Sequence, residues 1–193
     1  IGFTALLIKE LVLGLSVGLA STLCMTIINL SGMFIDREIG LTMVTAFDPT
    51  TNASTTISAD FYNYMVLVIM LCSNMHYFVI SAICDSFQVI PVGGSVYNGD
   101  AMYEVIMTFM QEYFVIAFRI ALPIFISIVL CNVILGVLAK IAPQMNMFSI
   151  GIELKLLLGL MVMVSMVIFL PNITEYIYGV TKDIVVNLLN TMH

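Results

Sequence analysis

The chain has 193 residues, of which 61% are apolar and only 9% charged, with a formal net charge of −6 and no Trp. An ordinary soluble domain carries roughly 25% charged residues, so this is the composition of a membrane-class protein. The acid excess, without clusters of Lys and Arg, argues against a nucleic-acid or anionic-lipid partner.

Four charge-free runs, 11–35, 61–84, 120–139 and 156–174, predict four long helices. Each reaches the roughly 18 residues needed to cross a hydrocarbon core of about 30 Å. The opening lacks a basic stretch and a small-residue cleavage site, so no cleavable signal peptide is expected, and a start at Ile1 suits a fragment. The basic residues divide between two faces, Lys9 and Lys182 against Arg37, Lys140 and Lys155, too evenly to set a topology.

In the first run Gly14, Gly18 and Thr22 recur every four residues. The spacing permits another helix to approach closely, although small-xxx-small patterns are common in membrane helices. Asn29 and Ser31 then make the run polar, and Asp36, Arg37 and Glu38 end it. Residues 40–49 (GLTMVTAFDP) are apolar for an exposed loop, Asp48-Pro49 favours a turn, and 50–58 has loop composition. The second run holds Asn63, Asn74 and His76. Polar groups at membrane depth face protein or water, so Asn74 and His76 are read as hydrogen-bonded structural groups, with a proton relay as the sharper alternative.

Gly93, Gly94, Asn98 and Gly99 read as a link, followed by helical spacing from Ala101 onward. A straight helix over 101–139 would be nearly 60 Å long, about twice the hydrocarbon thickness, and Pro123 is the expected bend. Glu112 and Arg119 are spaced to share a face as an ion pair or as exposed charges. Pro143 must stop the helix that contains Lys140 and biases Ala142 away from helical dihedrals. Gln144 and Asn146 are placed to satisfy backbone groups freed there, and Ser149 with Gly151 to open the next helix. The Glu153 carboxylate is a candidate cap on that helix. Residues 181–189 suggest an amphipathic helix on a membrane surface or a partner, with Val185 and Leu188 opposite Lys182 and Asn190.

Cys24, Cys72, Cys84 and Cys131 lack Cys-x-x-Cys spacing and are expected to be small buried hydrophobes. The dispersed Met residues suit core filling. No His-Glu-x-x-His, Gly-x-Ser-x-Gly or phosphate-binding loop is present, so neither catalysis nor a cofactor or metal is expected.

Residues 142–159 read APQMN-x-FSIG-x-x-LK-x-x-x-G, a pattern that closely resembles the FliR family of the bacterial flagellar export gate. GLTMVTAFDP, SNMHYFV and DSF-x-x-x-PVG precede it in the family's order, so the resemblance covers most of the chain. It departs at Met75, where relatives carry Gly within Asn-Gly-His, and at Glu153, where many carry Pro. Family members usually have further hydrophobic segments ahead of the point where this sequence starts.

The resemblance implies an all-α fold of membrane-associated helical hairpins and long kinked helices, packed as one domain into a hetero-oligomeric gate. It implies a core subunit of the flagellar type III secretion export gate in the bacterial inner membrane, at the flagellar basal body. FliP-like and FliQ-like subunits would complete the channel, with FlhB-like and FlhA-like subunits as further partners. Unfolded export substrates would pass through, driven mainly by the proton motive force, and the subunit would have no catalytic residues.

By the same resemblance Leu41, Thr42, Met43, Val44, Thr45, Ala46, Phe47, Asp48 and Pro49 form a channel plug, where the compliant Met43 side chain suits a seal. A loop that merely packs on its neighbours is the plainer reading. Asn74, His76, Pro143, Gln144, Asn146, Ser149, Gly151 and Lys155 are then structural polar and hinge positions, and Gly14 and Gly18 a subunit-packing stripe. The alternatives are an injectisome export subunit of the same fold, or a small secondary transporter coupled through His76, Glu153 or Arg119. The transporter would require an internal repeat, and none is visible.

Overall fold

The computed structural model describes residues 2–42, 56–77, 80–81, 84, 99–144 and 146–191, and no strand occurs among them. The helices are α1 (Gly2–Ile39), α2 (Ile57–Cys72), α3 (Gly99–Ile141), α4 (Met147–Met166) and α5 (Leu170–Thr191), with a 3₁₀ turn at Val167–Phe169 between the last two. The all-α expectation holds. Several boundaries differ from those read in the sequence.

α1 runs past its apolar stretch and stops at Gly40, whose φ of +93° is open to glycine at little cost. The Gly40 and Leu41 N–H groups both donate to the Asp36 carbonyl, at 3.1 and 2.9 Å. This left-handed cap satisfies a carbonyl that the helix end would leave bare.

The second run does not form one spanning helix. α2 has 16 residues, about 24 Å at 1.5 Å per residue, which is short of the hydrocarbon core. The chain turns at Ser73 and Asn74, where Asn74 takes φ 58° and its carbonyl accepts from the Tyr77 N–H at 3.1 Å. Asn is among the few L-residues that enter this region routinely. The polar residue was legible in the sequence, and the break it permits was not.

α3 is 43 residues long, roughly 65 Å. Pro123 lies inside this helix and is not a boundary, and the Ser127 hydroxyl donates to the Pro123 carbonyl at 2.8 Å. A separate local irregularity, in the 147–191 stretch, comes from Pro171, which has no N–H to give the Val167 carbonyl. The Leu170 N–H donates to that carbonyl in its place, tightening one turn into 3₁₀ geometry. Residues 181–189 are accordingly the end of the 22-residue α5; Val185 is buried and Lys182 exposed, on the faces expected. Among the described residues two stretches are long and apolar enough to cross a membrane, Met102–Ile141 and Phe148–Asn187.

The chain divides into two compact units. One comprises Ile1–Ile27, Val66–Ile116 and Asn172–His193, and its core includes Phe109, Ile116, Ile177 and Ile184. The other comprises Ile28–Met65 and Ala117–Pro171, and its core includes Ile35, Ile39, Tyr62, Ile124 and Ile128. The cysteine expectation needs correction: Cys131 is buried, whereas Cys72 and Cys84 are exposed, and all three are free thiols.

Candidate functional site

A cluster of buried polar side chains, Ser31, Asp36 and Ser58, lies in the second unit, where α1 meets α2. A Cβ placed on Gly32 would stand 2.5 Å from the Ala59 backbone, so the two helices touch main chain to main chain. Ser31 and Ser58 are fully buried beside this crossing. Asp36, one turn beyond Gly32, is only 3% exposed, and its carboxylate accepts the Ser58 N–H at 3.2 and 3.4 Å. It serves as an N-cap for α2, supplied from another helix. Burial pushes the Asp36 carboxyl above its ordinary range, and the contacts from Ser58 oppose that shift without cancelling it. Further along, the Asn63 amide donates to the Asn29 side-chain oxygen at 2.6 Å.

A second close approach joins α1 to α4. A Cβ on Gly159, the last glycine of the hinge motif, would meet the Ile39 side chain at 2.5 Å. The Tyr62 hydroxyl of α2 reaches the Met163 carbonyl one turn further along α4, at 3.4 Å.

The hinge forms where Pro143 requires it. α3 ends at Ile141 and the Ala142 N–H donates to the Leu138 carbonyl at 2.8 Å. The next helix opens at Met147 with Asn146 in the N-cap position, two residues before Ser149, and Asn146 makes no side-chain cap bond. Its carbonyl accepts the Ile150 N–H at 3.2 Å. Glu153 falls beyond the first turn and is exposed, so it does not cap the helix. Gly151 is buried, with Leu135 at 3.5 Å from where its Cβ would stand. Pro143, Gln144 and Ser149 are exposed and Lys155 is half-buried.

In the first unit, the Tyr178 hydroxyl donates to the Met75 carbonyl at 3.1 Å, tying the break at Asn74 to α5. Asn74 is exposed. The His76 ring packs against Tyr77 with centroids 4.3 Å apart, and its Nδ1 is buried without a hydrogen-bond partner among the described residues. Gly14 and Gly18 are exposed with nothing within 4 Å of an added Cβ, so no described part of this chain fills that stripe.

Of the plug residues, Leu41 is half-buried and Thr42 exposed, while Met43, Val44, Thr45, Ala46, Phe47, Asp48 and Pro49 lie outside the described residues. A groove of about 920 Å³ in the first unit carries Glu104 and Glu112 on α3 and Glu175 and Asp183 on α5. Among the described residues no group of His, Cys, Asp and Glu is placed to hold a metal ion.

Sequence reasoning singled out Gly14 and Gly18 and passed over Gly32, Asp36, Ser58 and Gly159. The available signal was the crowding of Ser31, Gly32 and Asp36 within two helical turns. Small and polar residues on one helix strip permit close backbone contact as readily as a chain of four-spaced glycines does.

A flagellar biosynthetic protein FliR of Bacillus subtilis (strain 168) is 29% identical over 189 residues, covering 97% of this chain and 73% of the relative. The FliR of Buchnera aphidicola subsp. Acyrthosiphon pisum (strain APS) is 27% identical over 187 residues, with 97% and 71% covered. The surface presentation of antigens protein SpaR of Shigella sonnei is 31% identical over 173 residues, covering 89% of this chain and 64% of the relative. The family model for bacterial export proteins, family 1, matches residues 1–180. With a match that runs from residue 1 to the middle of α5, this chain belongs to the bacterial export proteins, family 1.

Proposed function

We propose that the chain is a core subunit of a flagellar type III export gate in the bacterial inner membrane, joining FliP-like and FliQ-like subunits to form a channel for unfolded proteins. FlhB-like and FlhA-like subunits are its further neighbours. The observation that carries this reading is the family match across residues 1–180, together with FliR relatives along nearly the whole chain.

The physics of the helices supports an assembly. Met102–Ile141 and Phe148–Asn187 are each 40 residues long, and only 28% and 17% of their most apolar windows are buried. At about 60 Å, a straight Met102–Ile141 helix would need a tilt near 60° to lie within about 30 Å of hydrocarbon, beyond the 0–40° usual for membrane helices. Other subunits covering the excess length remove that conflict, and irregular backbone such as the Asn74 break is tolerated where protein surrounds it.

Within this gate, residues 41–49 are the plug, Gly14 and Gly18 pack against a neighbouring subunit, and the hinge around Pro143 with the break at Asn74 and His76 shapes the helices. The subunit performs no covalent chemistry. The SpaR relative favours one second reading, a virulence-type export subunit of the same fold, which gene neighbours would distinguish.

Native mass spectrometry of the tagged protein, purified in mild detergent from cells expressing its neighbouring membrane genes, tests the assembly. One large complex with FliP-like and FliQ-like subunits is expected. A stable monomer or homodimer, with those subunits demonstrably expressed, would refute it. Deleting residues 41–47 should make the assembled gate leaky to ions, and unchanged conductance would sink the plug assignment.

A further inference from the structure

α3 and α5 bring the same kind of strip to one groove. On α3 it is Glu104, Thr108 and Glu112, and on α5 it is Glu175, Gly179 and Asp183, all lining the groove of about 920 Å³ in the first unit. Positions four apart share a helix face, so each strip sets two carboxylates roughly 12 Å apart along its helix with a small residue midway. The four carboxylates are exposed, and among the described residues no Lys or Arg lines the groove. A Cβ added to Gly179 would meet nothing within 4 Å, so the groove is open at the middle of its α5 wall. Tyr176 and Val186, 48% and 42% exposed, add apolar surface to it.

A groove with an apolar surface and carboxylates on both walls complements a cationic, amphipathic occupant. The chain cannot supply one. Its six basic residues are Lys9, Arg37, Arg119, Lys140, Lys155 and Lys182, and the nearest two in sequence, Lys140 and Lys155, are fifteen positions apart. Neither another segment of this chain nor a second copy therefore presents two cations within two turns of one helix. A metal ion is the other cationic occupant, and among the described residues no group of His, Cys, Asp and Glu is placed to hold one. We propose that the α3–α5 groove docks an amphipathic helix of a different protein, with Lys or Arg at positions i and i+7 or i+8 against the carboxylate pairs and an apolar side chain midway, over Thr108 and Gly179. In such helix-in-groove contacts the apolar stripe supplies the buried area, and the charges fix register and reject acidic competitors. The inference goes beyond the export-gate reading and does not depend on it.

The test uses the full chain in nanodiscs of zwitterionic phosphatidylcholine and a labelled helical peptide with a Leu stripe and two Lys residues eight positions apart. Its control carries Glu in place of both Lys residues. Fluorescence anisotropy, corrected for binding to empty nanodiscs, should show the Lys peptide binding at least tenfold tighter than the Glu peptide. Glu175→Lys combined with Asp183→Lys should invert that order. Gly179→Leu, which fills the groove without changing its charge, should weaken the Lys peptide at least tenfold. Should the charge-reversed chain fail to fold, Glu175→Gln combined with Asp183→Gln takes its place, and the preference for Lys should then fall at least threefold. Equal binding of the two peptides by the wild-type chain, a preference that survives the charge substitutions, or wild-type binding by Gly179→Leu would each overturn the docking site. Recovery of the complex in native mass spectrometry is a separate readout, so failure of the groove leaves the export-gate reading standing, and the converse holds.

Discussion

Gly32→Ala is the sharpest perturbation of the α1–α2 crossing. The added Cβ would stand 2.5 Å from the Ala59 N, Cα and Cβ, against about 3.5–4.0 Å for an unstrained carbon contact. The obstacle is main chain, so no rotamer relieves it, and α2 must retreat by about 1 Å. Overpacking of this kind costs about 1–3 kcal/mol, and the better helix propensity of Ala returns about 0.8–1 kcal/mol. The retreat has a second effect. The Ser58 N–H lies 3.2 and 3.4 Å from the Asp36 oxygens, so a further ~1 Å takes it out of hydrogen-bond range. A bond to a charged group contributes about 1.5–3 kcal/mol. Because the two losses share one displacement they are not additive, and the expected net destabilisation is about 2–4 kcal/mol. Labelling of Cys131, which is buried in the same unit, reports unfolding directly in a chain whose Cys24, Cys72 and Cys84 are replaced by Ser. Titrated with SDS in mild-detergent micelles, Gly32→Ala should expose Cys131 at a clearly lower denaturant fraction than its parent. A midpoint at or above the parent's would refute the main-chain contact.

Gly159→Ala should cost less than Gly32→Ala, because the atoms it meets, Cγ1, Cδ1 and Cγ2 of Ile39, belong to a side chain and not to main chain; the same labelling assay ranks the two. Gly14→Ala and Gly18→Ala, facing open space, should stabilise the isolated chain by up to about 1 kcal/mol yet weaken recovery of the complex in native mass spectrometry if the stripe packs on a partner. The raised Asp36 carboxyl has a defined sign: the folded chain holds that proton more tightly than the unfolded one, so its contribution is fully present below pH 3.8 and declines as pH rises through the raised value. Asp36→Asn should remove that leg of the stability–pH curve while keeping the Ser58 bond, with Ser58 and Asp60 the neighbours to hold fixed; an identical curve for both proteins would contradict it. Tyr178→Phe should cost about 0.5–1.5 kcal/mol by freeing the Met75 carbonyl, and Asn74→Val about 1–2 kcal/mol because a β-branched residue resists φ 58°, both read by hydrogen exchange at residues 75–77.

The helical class and the hinge were legible because their causes are local. Pro143 removes a donor and disfavours helical dihedrals at Ala142, and α3 ends just before it, whereas Pro123 is carried inside the same helix. Pro171 obeys the same rule, but it lies inside an apolar run whose hydropathy masked it, and the resulting 3₁₀ turn went unread. The break at Asn74 was hidden for a different reason: hydropathy counts side chains, whereas the break is a backbone conformation that Asn merely tolerates. Burial of Asp36 was least legible of all. A charge at the end of an apolar run reads as solvated, and only the return of α2 twenty-two residues later supplies the N–H group that makes its burial tolerable.

The glycines show where sequence pattern stops being informative. Gly14 and Gly18 have the spacing of a helix-packing motif, and Gly32 and Gly159 stand without such a repeat. Yet Gly32 and Gly159 make close contacts within the chain, and the repeated pair meets nothing among the described residues. A periodic stripe states that one face of a helix is smooth; it does not state whose surface lies against it. Within the unit that contains Gly32, a neighbouring residue fills each close approach, so a substitution there is felt on folding. Along Gly14 and Gly18 a substitution strikes nothing among the described residues, so its effect on the folded chain should be small and any loss of complex would report on association. The same residue type therefore separates two energies that are usually confounded in a membrane assembly, folding of the subunit and its association, and the two sets of alanine variants measure them independently.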